Sequence, residues 1–200
     1  METNNSLTIP IYTFYCDESL VKKVESTFKD QKWIKDNYNY NTEQYYHEEL
    51  FSWIDSCVNQ VKQIYYNDNL KLIISSCWVN KNDKLMKSPL HNHTNSILSG
   101  VLYFSEEKTS PLVFHFPNPY LHLQYESFLH LSDIDRFYIK HPVLPKRGML
   151  IIFPSTILHE TLTHKETHAR YSLGFNTFVD GQLSADPTKK LIISTSSNNL

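Results

Sequence analysis

Two hundred residues, 40% hydrophobic and 20% charged, make an ordinary globular chain that can bury a full core without covalent staples. A formal net charge of -2 excludes the basic footprint of a nucleic-acid or anionic-membrane binder. No apolar run approaches the roughly 20 residues of a membrane span, and the opening METNNSLT lacks the basic and apolar regions of a signal peptide.

In chain order, Asp17 is placed to cap a helix with Leu20, Val21, Val24 and Phe28 on one face. A longer helix is predicted over about 43–66, where Leu50, Phe51, Ile54, Cys57, Val58, Val61, Ile64 and Tyr65 form one stripe and Glu48 and Glu49 sit near the start. NDN at 67–69 ends it, and the period then changes. LKLIISSCWV (70–79) reads as a strand, NKNDKLMKSP (80–89) as a polar loop, and SILSGVLYF (96–104), PLVFHF (111–116), GMLIIFP (148–154) and ARYSLGFNTF (169–178) as further strands. Residues 118–140 are polar and aromatic without periodicity, and read as a lid or insert that shapes a substrate pocket. Near the end, LIIS is an edge-strand candidate within a tail, 184–200, that is expected to fray. Helices followed by many short strands predict an α+β, mainly β domain built on a sandwich or barrel, undivided over 1–200, with helical support at about 17–66. The odd cysteine count, and the apolar neighbours of Cys57 and Cys77, predict buried free thiols and a cytoplasmic setting.

Chemistry in a barrel gathers where strand ends converge. LHNHTNSILSGVLYF (90–104) opens with His91-x-His93, a spacing that ten histidines supply by chance about once in two such chains, so the pair needs a partner elsewhere. FPSTILHETLTHKETHARYSLGFN (153–176) offers one. There a strand breaks at Pro154 and leads to His159, and the next strand carries Arg170, Ser172, Gly174 and Asn176 on one face. An arginine and a serine facing the same way in an apolar strand are costly to bury without an anion, and a carboxylate matches guanidinium in a bidentate way. Two histidines from one strand end, a third from another and an Arg/Ser anchor suit a facial metal site with open positions, Fe(II) and O₂ activation. The plainer alternatives are a polar turn at His91 and His93, a surface His159, an Arg170–Glu160 ion pair, and Ser172 and Asn176 serving only the barrel backbone. Tyr103 reads as a residue that could reach the pocket or as core with its hydroxyl at the rim. His164-x₃-His168 reads as solvated, His115 as a satisfied barrel histidine, and Trp78 and Asn80 as packing and capping the strand that enters the site.

Taken together, Trp78 and Asn80; His91, His93, Asn95, Ser99, Gly100, Val101 and Tyr103; Gly148, Phe153, Pro154, Ser155 and His159; and Arg170, Ser172, Phe175 and Asn176 occur in an order that resembles the 2-oxoglutarate–Fe(II) oxygenases, in particular those of phage and marine bacterial genomes. The resemblance covers about half the chain. It implies a double-stranded β-helix (a cupin-like jelly roll) over about 70–183, with supporting N-terminal helices. It also implies Fe(II), 2-oxoglutarate and O₂ as cofactor and cosubstrates. The reaction expected is hydroxylation of an unidentified small molecule, peptide or nucleotide, with release of succinate and CO₂. A homodimer is allowed, and the cytoplasm would be the host's for a phage or viral chain.

The superfamily's usual ligand set is H-x-D/E…H, and this chain departs from it. His91, His93 and His159 are the ligand set carried forward; His93-x-Asn95 with His159, or His91 and His159 alone, are its alternatives. Arg170 and Ser172, with Tyr103 and Asn176, are the candidates for the cosubstrate. The competing functions are a three-histidine cupin-like dioxygenase without 2-oxoglutarate and a non-catalytic, virion-associated or binding jelly roll.

Overall fold

A computed structural model describes residues 10–66, 70–106, 108, 110–117, 138–182 and 192–193. Strand β1 (Tyr12–Tyr15) is followed by helix α1 (Glu18–Glu25), strands β2 (Ile34–Lys35) and β3 (Tyr40–Asn41), and helix α2 (Glu48–Tyr65). Then come β4 (Lys71–Asn82), β5 (Leu98–Tyr103), β6 (Leu112–Pro117), β7 (Tyr138–Val143), β8 (Met149–Pro154), β9 (Leu158–Thr161), β10 (Arg170–Gln182) and β11 (Ile192–Ile193).

Local chemistry sets the helix ends. The Asp17 carboxylate accepts from the backbone N–H of Ser19, so α1 starts where the cap was expected, and Leu20, Val21 and Val24 are buried. Phe28 is buried too, in a short 3₁₀ turn beyond the helix. Helix α2 begins five residues later than about 43, with the His47 ring accepting from the N–H of Leu50. Its buried stripe runs Leu50, Ile54, Cys57, Val58 and Val61, whereas Ile64 is 59% exposed, because the apolar contact ends a turn before the helix does.

The strands form two sheets. The larger runs β1-β8-β5-β10-β4-β3-β2, with β11 added beside β10, and the smaller runs β7-β6-β9. This is the mainly β, double-stranded β-helix arrangement with helices on one side. The alternating pleat sorts side chains between two cores. From β8, Leu150 and Ile152 join Leu20, Val21, Leu50, Ile54 and Val58 behind the large sheet. Met149, Ile151 and Phe153 point the other way, to Tyr103, Leu112 and Phe114 between the sheets. A strand buried on both faces reads as a continuous apolar run, as MLIIF does.

Four features differ from expectation. Strand β4 continues through Asn82, where a loop was predicted. Strands β1, β7 and β9, and the β2–β3 ribbon, had no sequence signal. Of the proposed insert, 118–137 lies outside the described residues, and 138–140 belong to β7. His164 is buried rather than solvated, with Nε2 bonded to the carbonyl of His168 at 2.6 Å. The LIIS segment does contribute an edge, Ile192–Ile193, antiparallel to β10. Cys16, Cys57 and Cys77 are free and buried, as expected of the last two.

Gly148 opens β8 with φ +76°, and a Cβ there would lie 3.1 Å from the Cys16 carbonyl oxygen. Its own N–H and C=O are both used, by Tyr103 O and Cys16 N. Gly148→Ala is therefore expected to cost about 1–2 kcal/mol, the usual penalty of a left-handed L-residue. At roughly 2–4 °C per kcal/mol for a chain of this size, calorimetry should find Tm lowered by several degrees. An unchanged Tm would contradict the turn's role.

Candidate active site

Three backbone segments meet at one end of the space between the sheets. His91 and His159 exchange both backbone hydrogen bonds, at 3.0 and 2.8 Å, which fixes their rings on the same side. The N–H of His93 donates to Ser155 O at 2.9 Å, tying the turn after His91 to the end of β8. The ring centroids of His91 and His159 are 4.3 Å apart, those of His91 and His93 5.1 Å, and those of His93 and His159 5.0 Å. One ring nitrogen from each of the three lies within 4.8 Å of the others.

The tautomers suit a metal. Nδ1 of His91 lies 2.7 Å from Pro89 O, and Nδ1 of His159 lies 2.9 Å from Ile157 O. A carbonyl can only accept, so both Nδ1 atoms carry hydrogen and both Nε2 lone pairs are left free. Burial, with the neighbouring His91 adding to it, lowers the His93 pKa to about 4. Burial also lowers that of His159 to about 3, against a smaller opposite effect of the Ile157 carbonyl. Neutral imidazole is the ligand form. Asn95, by contrast, is exposed and holds φ +54° at the turn.

These depressed pKa values bear on stability. An unfolded chain takes up protons on both histidines below about pH 6.5, while the metal-free fold does not until near pH 4 and 3. Their contribution is thus complete above pH 6.5 and is lost as the pH falls towards the folded values. About 1–2 kcal/mol per histidine should disappear between pH 7 and 5. Urea midpoints at the two pH values, compared with those of His159→Asn, measure it; the variant should lose less, and an equal loss would contradict the assignment.

From the histidines, a cavity of about 260 Å³ runs inward along β4, β5 and β10. Trp78, Asn80, Asn82, Tyr103, Arg170, Ser172 and Gly174 line it. Trp78 lies close over Gly174, where a Cβ would meet the indole at 2.8 Å, and its Nε1 donates to Asn80 Oδ1. Arg170 is 1% exposed. Its Nη1 donates to Ser110 Oγ at 2.8 Å and Ser110 O at 3.3 Å, its Nη2 donates to Thr161 Oγ1 at 3.3 Å, and its Nε has no partner. All those acceptors are neutral. Glu160, the carboxylate weighed as an alternative partner, lies 3.1 Å from His115 Nε2 instead. Among the described residues Arg170 forms no ion pair.

The structure therefore brings His91, His93, His159, Tyr103, Arg170 and Ser172 to one cavity. It leaves Asn176 off the wall: its amide accepts from Ser99 Oγ at 2.7 Å and donates to Ser76 Oγ at 3.2 Å, next to a β-bulge. Sequence reasoning missed Asn82 and the lining contributed by Asp36, Tyr38, Asn39 and Asn41. The alternation of Trp78, Asn80 and Asn82 was the available signal for the first.

No curated protein matches the sequence. Solved structures do match the fold. An oxidoreductase of the 2OG-Fe(II) oxygenase family from Burkholderia pseudomallei has TM-score 0.61 and 13% identity, covering 84% of each chain. HygX from Streptomyces hygroscopicus, solved with nickel, 2-oxoglutarate and hygromycin B bound, has TM-score 0.62 and 10% identity over 86% of this chain and 83% of that one. A prolyl-4-hydroxylase from Pseudomonas putida has TM-score 0.56 and 16% identity over 86% and 94%. The model of the family described as "Putative 2OG-Fe(II) oxygenase" matches residues 76–176, half of the chain, from β4 through the metal-ligand candidates to the strand of Arg170. The chain belongs to the 2-oxoglutarate–Fe(II) oxygenases.

Proposed function

We propose that His91, His93 and His159 hold Fe(II) through Nε2 of the first and last and a ring nitrogen of His93, within a single oxygenase domain that includes the helical support. Arg170, with Ser172 and Tyr103 beside it on the wall, receives the far carboxylate of 2-oxoglutarate. The single observation that carries the reading is a buried guanidinium with no counter-charge among the described residues, facing the same cavity as three converging imidazoles. A buried cation is stabilised only by an anionic or strongly polar partner, and a dicarboxylate that reaches from the metal to Arg170 supplies one.

When bound, the iron and 2-oxoglutarate supply the oxidising chemistry that inserts an oxygen atom from O₂ into a substrate C–H bond. The protein's part is geometric and electrostatic. Backbone bonds at His91, His93 and His159 hold the ligands, the two Nδ1–H groups keep their tautomers, and apolar walls of Leu112 and Phe153 exclude water. The buried Arg170 gives the far carboxylate one place and one orientation. The three-histidine dioxygenase would leave this charge unexplained.

HygX was solved with a small molecule bound, and a small polar substrate entering past Tyr38, Asn39 and Asn41 is the class proposed here. The three buried thiols suit the cytoplasm; no helix among the described residues is long and apolar enough to cross a membrane. Fe(II)-loaded protein given O₂, 2-oxoglutarate and ascorbate, which supplies the two electrons that the substrate otherwise gives, should release succinate one for one with the oxoglutarate consumed. Oxoglutarate left intact by iron-loaded protein would contradict the reading.

A further inference from the structure

Among the described residues, the buried side-chain nitrogens without a hydrogen-bond partner are Arg170 Nε and Asn82 Nδ2. The two residues face each other on one rung of the β4–β10 ladder, and both line the cavity. Asn82, like Arg170, is 1% exposed. A buried amide N–H₂ left without an acceptor is costly, and a strand position beside it accepts apolar residues readily. Its neighbour on the same face, Asn80, has a partner in Trp78, so Asn82 is the amide left over.

Both orphan atoms are donors, so what is missing between them is an acceptor. Among the described residues Arg170 has no counter-ion, so the acceptor is anionic. Cross-strand neighbours on one face are close enough to share one small group. A carboxylate has two oxygens and room for donors on both. We infer that Asn82 is a second recognition residue for the cosubstrate: its amide donates to the far carboxylate beside Arg170 and so selects 2-oxo acids that end in a carboxylate. This rests on the reading that Arg170 holds that carboxylate.

The residue type supports the assignment. Aspartate at 82 would pair with Arg170 and fill the site with an internal salt bridge, and leucine would offer no donor. Asparagine adds hydrogen bonds while leaving the positive charge for the ligand.

The test is an anaerobic titration of Fe(II)-loaded wild type, Asn82→Ala, Asn82→Asp and Arg170→Ala with 2-oxoglutarate and with 2-oxopentanoate, which ends in a methyl group. Iron content is measured in each. Asn82→Ala should weaken 2-oxoglutarate binding by about tenfold or more, the usual loss for a hydrogen bond to a charged group. It should leave 2-oxopentanoate nearly unaffected. Asn82→Asp should reverse the order, binding 2-oxopentanoate more tightly than 2-oxoglutarate. Because the ratio of the two acids is read on folded, iron-loaded protein, a loss of fold does not imitate it. Wild-type affinity in Asn82→Ala would overturn the inference alone, provided Arg170→Ala is impaired. Equal weakening of both acids would also overturn it, by making Asn82 a structural residue. Wild type that binds iron but not 2-oxoglutarate would overturn the underlying reading as well.

Discussion

Arg170→Ala is expected to weaken 2-oxoglutarate binding by about 30-fold or more, equivalent to about 2–5 kcal/mol, the range for truncating one partner of a buried charge pair. The size follows from burial. The guanidinium is 1% exposed, and its partners among the described residues are the neutral Ser110 and Thr161. Its interaction with an incoming carboxylate is therefore little screened by water and, among the described residues, undiluted by a competing acid. Fe(II) binding should be nearly unchanged, since Arg170 is not among the converging ring nitrogens. Arg170→Lys should recover only part of the loss. An ammonium can replace the charge, but not the planar fork that serves Ser110, Thr161 and a ligand together.

The second large effect is at the metal. His91→Ala, His93→Ala and His159→Ala should each abolish stoichiometric Fe(II) binding, because two imidazoles hold a labile ion poorly. Asn95→Ala should retain the iron, as Asn95 is exposed and outside the cavity wall. The substitutions spare the fold's local ties: the exchange between His91 and His159 and the bond from His93 to Ser155 are backbone bonds. Iron analysis of the purified variants reads the result. Native iron content in any one of the three removes that residue from the ligand set, and loss in Asn95→Ala moves the site along the chain.

Much of this site was legible because β-strands alternate. On β10 the period of two put Arg170, Ser172 and Gly174 on one face, and the structure keeps all three on the cavity. Asn176 shares the alternation but not the destination. The hydroxyls of Ser99 and Ser76 take up its amide, and the strand shifts register just after it. The same rule failed on β4 for the opposite reason. Polar residues at 80 and 82 read as a loop because polarity usually means solvent, whereas here they face an interior cavity. His164 misled in the same way, since a histidine in a polar turn is ordinarily wet, and this one is buried against the carbonyl of His168. Asp36, Tyr38, Asn39 and Asn41 carry no local signal, because only the pairing of β3 with β4 brings them to the cavity.

The most direct measurement is the visible spectrum of the anaerobic protein with Fe(II), titrated with 2-oxoglutarate. If His91, His93 and His159 hold the iron and Arg170 the far carboxylate, a charge-transfer band should grow to saturation at one 2-oxoglutarate per chain. Its midpoint should shift in Arg170→Ala, and it should be absent without iron. Bound iron with no band at any 2-oxoglutarate concentration would contradict the account and favour a three-histidine dioxygenase that works without this cosubstrate.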